Sequence, residues 1–321
     1  MLAISLTTDC WNSYSCSREQ YTIYPYIRKY VASTRYHSVM TRRKAALLLV
    51  CVVLIGLNGA LFYVLTHNSK ALLVSFLNVG QGDAILVVSP TGEQILIDGG
   101  PDRSVLRELP RRIGPLDRSL DLVIATHPDK DHIAGLADVF DRYDIDAFLD
   151  PNVANDTSYA QALTYAASTE EGIEMVVARR GMRVHIGGGA YLDVLFPDRD
   201  VASIEANTGS IVTRLVYRET SFMLTGDAPS AIEEWLVELD GSSLASDVLK
   251  AGHHGSRTST SEEWMAAVAP RFVVISAGEG NSYGHPHAEV VGRIQESGAQ
   301  LLSTMDGGVR FQSDGRTVIQ K

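Results

Sequence analysis

The chain has 321 residues, enough for one large domain or two ordinary ones, and a formal net charge of -10. Residues 1–70 hold eight Lys/Arg and two Asp/Glu, which leaves 20 basic and 36 acidic residues for the remainder. A globular part that acidic excludes general polyanion binding by bulk electrostatics, so handling nucleic acid there requires bound cations or a local basic patch. The three cysteines, Cys10, Cys16 and Cys51, all lie before residue 70. That excludes disulfides and thiolate ligands from the globular part and leaves imidazole and carboxylate for any metal.

Residues 1–39 are polar and tyrosine-rich, with no helical or strand period. They read either as a short cytoplasmic tail or as the product of an early start, because Met40-Thr41-Arg42-Arg43-Lys44 makes a natural beginning. With Met40 to Lys44 they form an N-terminal segment, 1–44. From Ala45 to Leu65 the chain is apolar for 21 residues apart from Gly56, Asn58 and Gly59. At about 1.5 Å per residue such a helix spans a hydrocarbon core of about 30 Å. The basic residues before it place its N-terminus in the cytoplasm. The run is longer than the core of a signal peptide and lacks a small-x-small cleavage site. The expectation is a retained single-pass anchor in the cytoplasmic membrane, with the domain at 71–321 on the extracytoplasmic side.

Three short strands open that domain, at Ala71–Leu77, Ala84–Val88 and Gln94–Asp98, separated by turns at 78–83 and at Ser89-Pro90-Thr91-Gly92. A helix is expected over Ser104–Ile113, a strand over Leu120–Ala125 and a helix over Ile133–Tyr143. Strands and helices then alternate to the C-terminus: helices at Ser158–Glu171, Ala231–Leu239, Ser261–Val268 and Ala288–Ser297, with hairpins and single strands between them. Two mixed sheets with helices outside give an αββα sandwich of the α+β class.

The chemistry gathers at strand ends. His127-Pro128-Asp129-Lys130-Asp131-His132 follows an apolar strand, so four metal-competent side chains fall within six residues. Three further segments repeat the arrangement. Leu224-Thr225-Gly226-Asp227 delivers a carboxylate through a glycine, Lys250-Ala251-Gly252-His253-His254-Gly255-Ser256 carries paired imidazoles, and Asn281-Ser282-Tyr283-Gly284-His285-Pro286-His287 offers two imidazoles and a phenol. His37, His67 and His185 fall in the tail, a linker and a strand.

Taken together these segments resemble the metallo-β-lactamase superfamily, and within it the hydrolase domain of ComEC-type competence proteins. The resemblance also covers Asn78–Ala84 and Leu96–Gly100 and extends over about residues 72–312. The multi-helix membrane channel of those proteins is absent, so DNA transport does not carry over. The superfamily pattern His-x-His-x-Asp-His stands here as His127-x-Asp129-x-Asp131-His132. The resemblance implies two divalent metal ions, with His127 and Asp129 serving one, Asp131 and His132 the other, and Asp227 bridging. One of His253 and His254 completes the second set, with His253 the expectation. The separate histidine of the superfamily's first set is not evident; Asn207 or Ser210 stands where it belongs. The added carboxylate favours Mn over Zn on ligand hardness.

Such a site hydrolyses by activating water. Asp131 would orient that water, and Lys250 and His285 would act on the reacting phosphate. His254, Ser256, Asn281, Tyr283 and His287 would hold the substrate. The implied activity is a phosphodiesterase or nuclease acting on nucleic acid. Hydrolysis of small esters, thioesters or lactams is the alternative, and a non-catalytic binding module is a third reading.

Overall fold

The computed structural model describes residues 42–67 and 71–321; the tail with Met40 and the linker residues 68–70 lie outside them. A helix of 26 residues runs over Arg42–His67. Its side chains are described for residues 44–60 and all are exposed, Leu49, Leu54 and Ile55 among them. Over the described residues no helix is long and apolar enough to cross a membrane. The expected span at 45–65 therefore rests on the sequence alone.

The remaining residues fold as an αββα sandwich. One sheet has eight strands in the order Val318–Gln320, Val309–Ser313, Leu72–Phe76, Ile85–Val88, Gln94–Ile97, Leu122–Ile124, Ala147–Asp150, Glu174–Val177. The other has seven, in the order Gln300–Ser303, Phe272–Ile275, Val248–Lys250, Thr220–Leu224, Val212–Tyr217, Ala190–Phe196, Arg183–His185. Each sheet is antiparallel on one side and parallel on the other. In the first sheet the change comes between Gln94–Ile97 and Leu122–Ile124, and in the second between Thr220–Leu224 and Val248–Lys250. Parallel strands deliver all their carboxyl ends to one edge of the sandwich, where open α/β sheets form their sites.

Side-chain alternation decides which face packs where. Ile95 and Ile97 point between the sheets with Leu122, Ile124, Leu215, Phe222 and Val248. Leu96 and Val123 point outward, under the helices Val105–Ile113, Leu136–Phe140 and Ser158–Thr169. The outer face of the second sheet packs Leu249 and Val273 under Ser230–Asp240, Glu262–Val268 and Ala288–Glu296. Phe311 sits at the middle of the inter-sheet layer, with edge contacts to Phe76, Phe222 and Phe272 at 6.1, 6.0 and 5.3 Å between ring centroids.

Two elements differ from the sequence expectation. The expected strand Leu120–Ala125 divides, with Ser119–Leu120 pairing Asp144–Ile145 in a separate two-stranded sheet. The expected helix Ile133–Tyr143 is instead two short pieces, Lys130–Ile133 and Leu136–Phe140. The break falls at Gly135, where a Cβ would overlap the Gly99 carbonyl oxygen. The gap admits the loop after Gln94–Ile97, tied by Gly135 N–H to Gly100 O at 3.0 Å and Gly99 N–H to His132 O at 2.7 Å. That close approach fixes the metal motif against the neighbouring strand end.

Phe311→Ala empties the centre of the core. It is expected to lower unfolding stability by about 3–5 kcal/mol, measured by urea titration.

Candidate metal centre

Five strand ends meet at the parallel edge. The strand Leu122–Ile124 leads into His127 and, one turn later, Asp131 and His132; Gln94–Ile97 leads into Asp98. Thr220–Leu224 leads into Asp227, Val248–Lys250 into His253 and His254, and Phe272–Ile275 into Ser276. Asp83 precedes Ile85–Val88 and reaches the same place. Asp83, His127, His132, Asp227, Lys250 and His254 are all buried.

The innermost donor atoms converge on one point. His132 Nε2 and His254 Nε2 are 3.3 Å apart. Asp227 Oδ2 is 3.3 Å from the first and 3.2 Å from the second. Asp131 Oδ2 is 3.2 Å from His254 Nε2. Ligand atoms held about 2.0–2.1 Å from a tetrahedral cation are about 3.3 Å apart, so these separations are those of a coordination shell. Asp83, His132, Asp227 and His254 offer donors within 4.8 Å of one another. The Asp83 Oδ2 atom is taken by the Lys250 ammonium while its Oδ1 is buried and without a hydrogen-bond partner among the described residues, and Asp131 Oδ2 is a further donor beside His254.

Outer hydrogen bonds fix the imidazole tautomers. His254 Nδ1–H donates to the Ser276 carbonyl at 2.8 Å, and His132 Nδ1–H to Asp98 Oδ2 at 2.8 Å. Each leaves its Nε2 for the centre. Thr126 Oγ1 gives its only proton to Asp98 Oδ2 at 2.7 Å, so at 3.0 Å it accepts His127 Nδ1–H. His127 Nε2 is thereby bare and buried, and it has no hydrogen-bond partner among the described residues. An orphaned imidazole nitrogen of this kind fits a metal ligand.

The electrostatics agree. Burial favours neutral His132 and His254, but Asp227, with Asp98 for the first and Asp83 for the second, holds both pKa values well above the usual imidazole range. Two protonated Nε2 atoms facing each other at 3.3 Å make no bond between them, and one divalent cation would take the place of both protons at the same total charge. His127 goes the other way: burial, then the charge of His132, pushes its pKa well below the usual range. Burial raises the Asp131 carboxyl, but its bond to His254 and the His132 charge outweigh that and leave it at about 2. Lys250 bonds the Gly226 carbonyl at 2.7 Å and Asp227 Oδ1 at 3.2 Å. Burial lowers its pKa, yet Asp83 and Asp227 raise it further, and it stays charged.

The sequence-derived site residues fall into two groups. Asp131, His132 and Asp227 join the cluster. His127 and Asp129 face each other beside it, with His127 Nε2 to Asp129 Oδ2 at 3.8 Å. The paired imidazoles divide otherwise than expected: His254 occupies the cluster, whereas His253 is partly exposed, 3.7 Å from Asp227 and bonded through Nδ1 to Thr258 Oγ1. The reason is a turn in which both residues are left-handed, with φ 48° at His253 and 56° at His254, each costing about 1–2 kcal/mol. Lys250 is wholly buried between two carboxylates, so it balances the site's charge and does not grip a substrate.

Among the expected substrate contacts, Ser256 is buried and tied to Thr258. Asn281 braces its own loop, donating to His285 O at 2.6 Å and accepting His285 N–H at 3.0 Å. His287 Nδ1 accepts Arg257 N–H at 3.1 Å. His285 lies 5.6 Å from the His253 ring with exposed Tyr283 stacked on it, and its Nδ1 is buried without a partner. Burial, then its imidazole neighbours, lowers its pKa to about 4. Asp83 and Asp98 fall in segments the resemblance covers, Asn78–Ala84 and Leu96–Gly100, but sequence reasoning assigned neither a role in the site; the signal was a carboxylate flanked by glycine at the start or end of a strand.

Comparison with known proteins agrees with this picture. A family model described as "Metallo-beta-lactamase superfamily" matches residues 77–279. The chain is 30% identical over 262 residues to ComE operon protein 3 of Bacillus subtilis (strain 168), covering 76% of this chain and 33% of that protein. It is 30% identical over 240 residues to Competence protein ComA of Neisseria gonorrhoeae, covering 74% and 32%. The chain thus spans about a third of the length of these curated relatives. Among solved structures, the metallo-beta-lactamase fold protein YhfI from Bacillus subtilis aligns with a TM-score of 0.52 at 13% identity, over 76% of this chain and 100% of that one.

His254→Ala is expected to lower bound Zn or Mn at least tenfold, as loss of a ligand does, and His253→Ala by less than threefold. Metal analysis after dialysis against a chelator buffer measures both, and equal losses would contradict the assignment.

Proposed function

The chain belongs to the metallo-beta-lactamase superfamily, and from that premise we propose that it is a metal-dependent phosphodiesterase acting on nucleic acid. The observation that carries the hydrolytic part is the triangle of His132 Nε2, His254 Nε2 and Asp227 Oδ2 at 3.2–3.3 Å, with Asp131 Oδ2 3.2 Å from His254 Nε2. The choice of phosphodiester follows the relative named Competence protein ComA, and the imidazoles of His253 and His285 at the partly exposed side.

We place a second cation at His127 and Asp129. Asn207 Oδ1 is, like His127 Nε2, buried and unpartnered among the described residues, and it would supply an oxygen there if it takes the place the resemblance gives it. When bound, such cations supply acidified water and offset charge on the attacked phosphorus. The chain's own residues do the rest. Asp131, held as a carboxylate, orients and accepts a proton. Neutral His285, in the tautomer that carries its proton on the unpartnered Nδ1, gives a hydrogen bond to the phosphate. His253 presents an imidazole at the rim. Lys250, Asp83 and Asp98 hold the assembly without touching substrate. The acidic body repels polyanions elsewhere on its surface, leaving the cation-loaded edge as the point of attraction for a phosphodiester.

We also read residues 45–65 as a membrane anchor. The support is the apolar sequence, the basic Arg42, Arg43 and Lys44 ahead of it, and apolar side chains exposed all round the described part of the helix.

Purified protein loaded with Mn or Zn is expected to cleave single-stranded DNA and a bis-aryl phosphodiester but not chromogenic esters. Failure on both phosphodiesters sinks this reading, and turnover of the ester alone supports a small-ester hydrolase. Asp129→His, which swaps a hard oxygen for nitrogen, is expected to move the metal preference toward Zn at least fivefold in an activity titration. Membrane fractionation checks the anchor: the protein is expected in the pellet after carbonate washing, and its appearance in the medium would contradict the reading.

A further inference from the structure

A cavity of about 270 Å³ opens between the metal motif and the helix Ser158–Thr169. Its apolar wall includes Phe148, Ala160 and Leu163. Asp150 and Thr164 add a polar edge, and His127 and Pro128 belong to its lining. The Asp150 carboxylate accepts one hydrogen bond, from Asn152 N–H at 2.9 Å, and makes no other among the described residues. Asn155 Nδ2 donates to Pro128 O at 3.3 Å, tying the cavity's loop to the metal motif. Next to the wall residue Ala160, the exposed Tyr159 ring carries Lys130 Nζ 5.2 Å from its centroid.

The shape and chemistry select among phosphodiester substituents. The space is just below the range of about 300–1,000 Å³ for whole small-molecule sites, so it takes one ring system and no more. An acyl chain would meet the polar edge at Asp150 and the end of a short cavity. A flat heterocycle lies against the nearly closed apolar wall formed by Phe148 and Leu163 and sets its polar rim on Asp150. A carboxylate acceptor pairs with an exocyclic amino group, which cytosine, adenine and guanine carry and thymine lacks. Lys130 and Tyr159 outside the mouth suit the next phosphate and base of a strand.

We propose that this cavity is a nucleobase pocket, which receives the base beside the phosphate processed at the metal centre and favours bases with an exocyclic amino group. It rests on the phosphodiesterase reading given above for its place in the reaction, though not for its binding.

The test is calorimetric titration of the full chain, loaded with Mn, by deoxycytidine 5′-monophosphate, thymidine 5′-monophosphate and deoxyribose 5-phosphate. Deoxycytidine monophosphate is expected to bind at least about tenfold tighter than the sugar phosphate, the yield of one stacked base, and several-fold tighter than thymidine monophosphate. Thr164→Trp, a change at an exposed helix position that swings an indole into the cavity, is expected to collapse the base-to-sugar ratio toward one. Asp150→Leu is expected to erase the cytosine-over-thymine preference. Equal binding of the cytosine and sugar ligands by the unmutated chain, or a ratio unmoved by Thr164→Trp, overturns the pocket. A preference untouched by Asp150→Leu overturns the amino-group reading. A base preference that stands while neither DNA nor the aryl phosphodiester is cleaved upholds the pocket and overturns the hydrolytic reading instead.

Discussion

One buried ion group underlies the whole site: the Lys250 ammonium lodged against the carboxylates of Asp83 and Asp227. Three charges in a dry interior are tolerable only when each meets its opposite, and removing one partner of such a group typically costs about 3–5 kcal/mol. Here the group joins two sheets, since Asp83 precedes a strand of the first while Asp227 and Lys250 end neighbouring parallel strands of the second. The ammonium pins the inner carboxylate of the metal cluster before any cation arrives. A lysine therefore keeps the ligands from springing apart by mutual repulsion. Asp98 does the same on the other side, holding His132 and Thr126 together.

The fold makes this arrangement cheap to build. Both sheets change from antiparallel to parallel near their centres, so the strand ends carrying Asp98, His127, Asp227 and His254 all open onto one edge. The close approach at Gly135 and at Gly82, where a Cβ would collide with the Asp131 carbonyl, brings the metal motif into backbone contact with its neighbours. Ligand positions are then set by main-chain hydrogen bonds, which hold a metal geometry more firmly than side-chain packing does. The strained pair His253 and His254 belongs to the same logic. A left-handed turn is stable there because its carbonyls and amides are already engaged.

Much of this was legible in the chain. The alternation of apolar residues predicted both sheets, and the run of helices between them predicted the outer layers. The motif at His127–His132 and the carboxylate of Asp227 identified themselves by residue type at strand ends. Helix Ile133–Tyr143 was misread because a single glycine inside an apolar period looks tolerable locally. Its reason lies across space, at Gly99. Asp83 and Asp98 lay in segments the resemblance covers but received no role in the site, because each stands alone, without neighbouring ligands to mark it.

What the sequence determined by itself was the inventory: an αββα sandwich, strand ends rich in imidazole and carboxylate, and a family resemblance that names a hydrolase. Those properties are local or periodic, and local chemistry is written residue by residue. Tertiary structure alone decided that His254 enters the cluster while His253 faces solvent, because adjacent residues differ only in the turn that aims them. It alone decided that Lys250 balances charge and does not meet substrate, because burial is a property of the assembled sheets. It alone formed the cavity beside His127, since its walls come from strands and a helix distant in sequence. Which donors share one point in space is settled by packing, and packing is not additive along a chain.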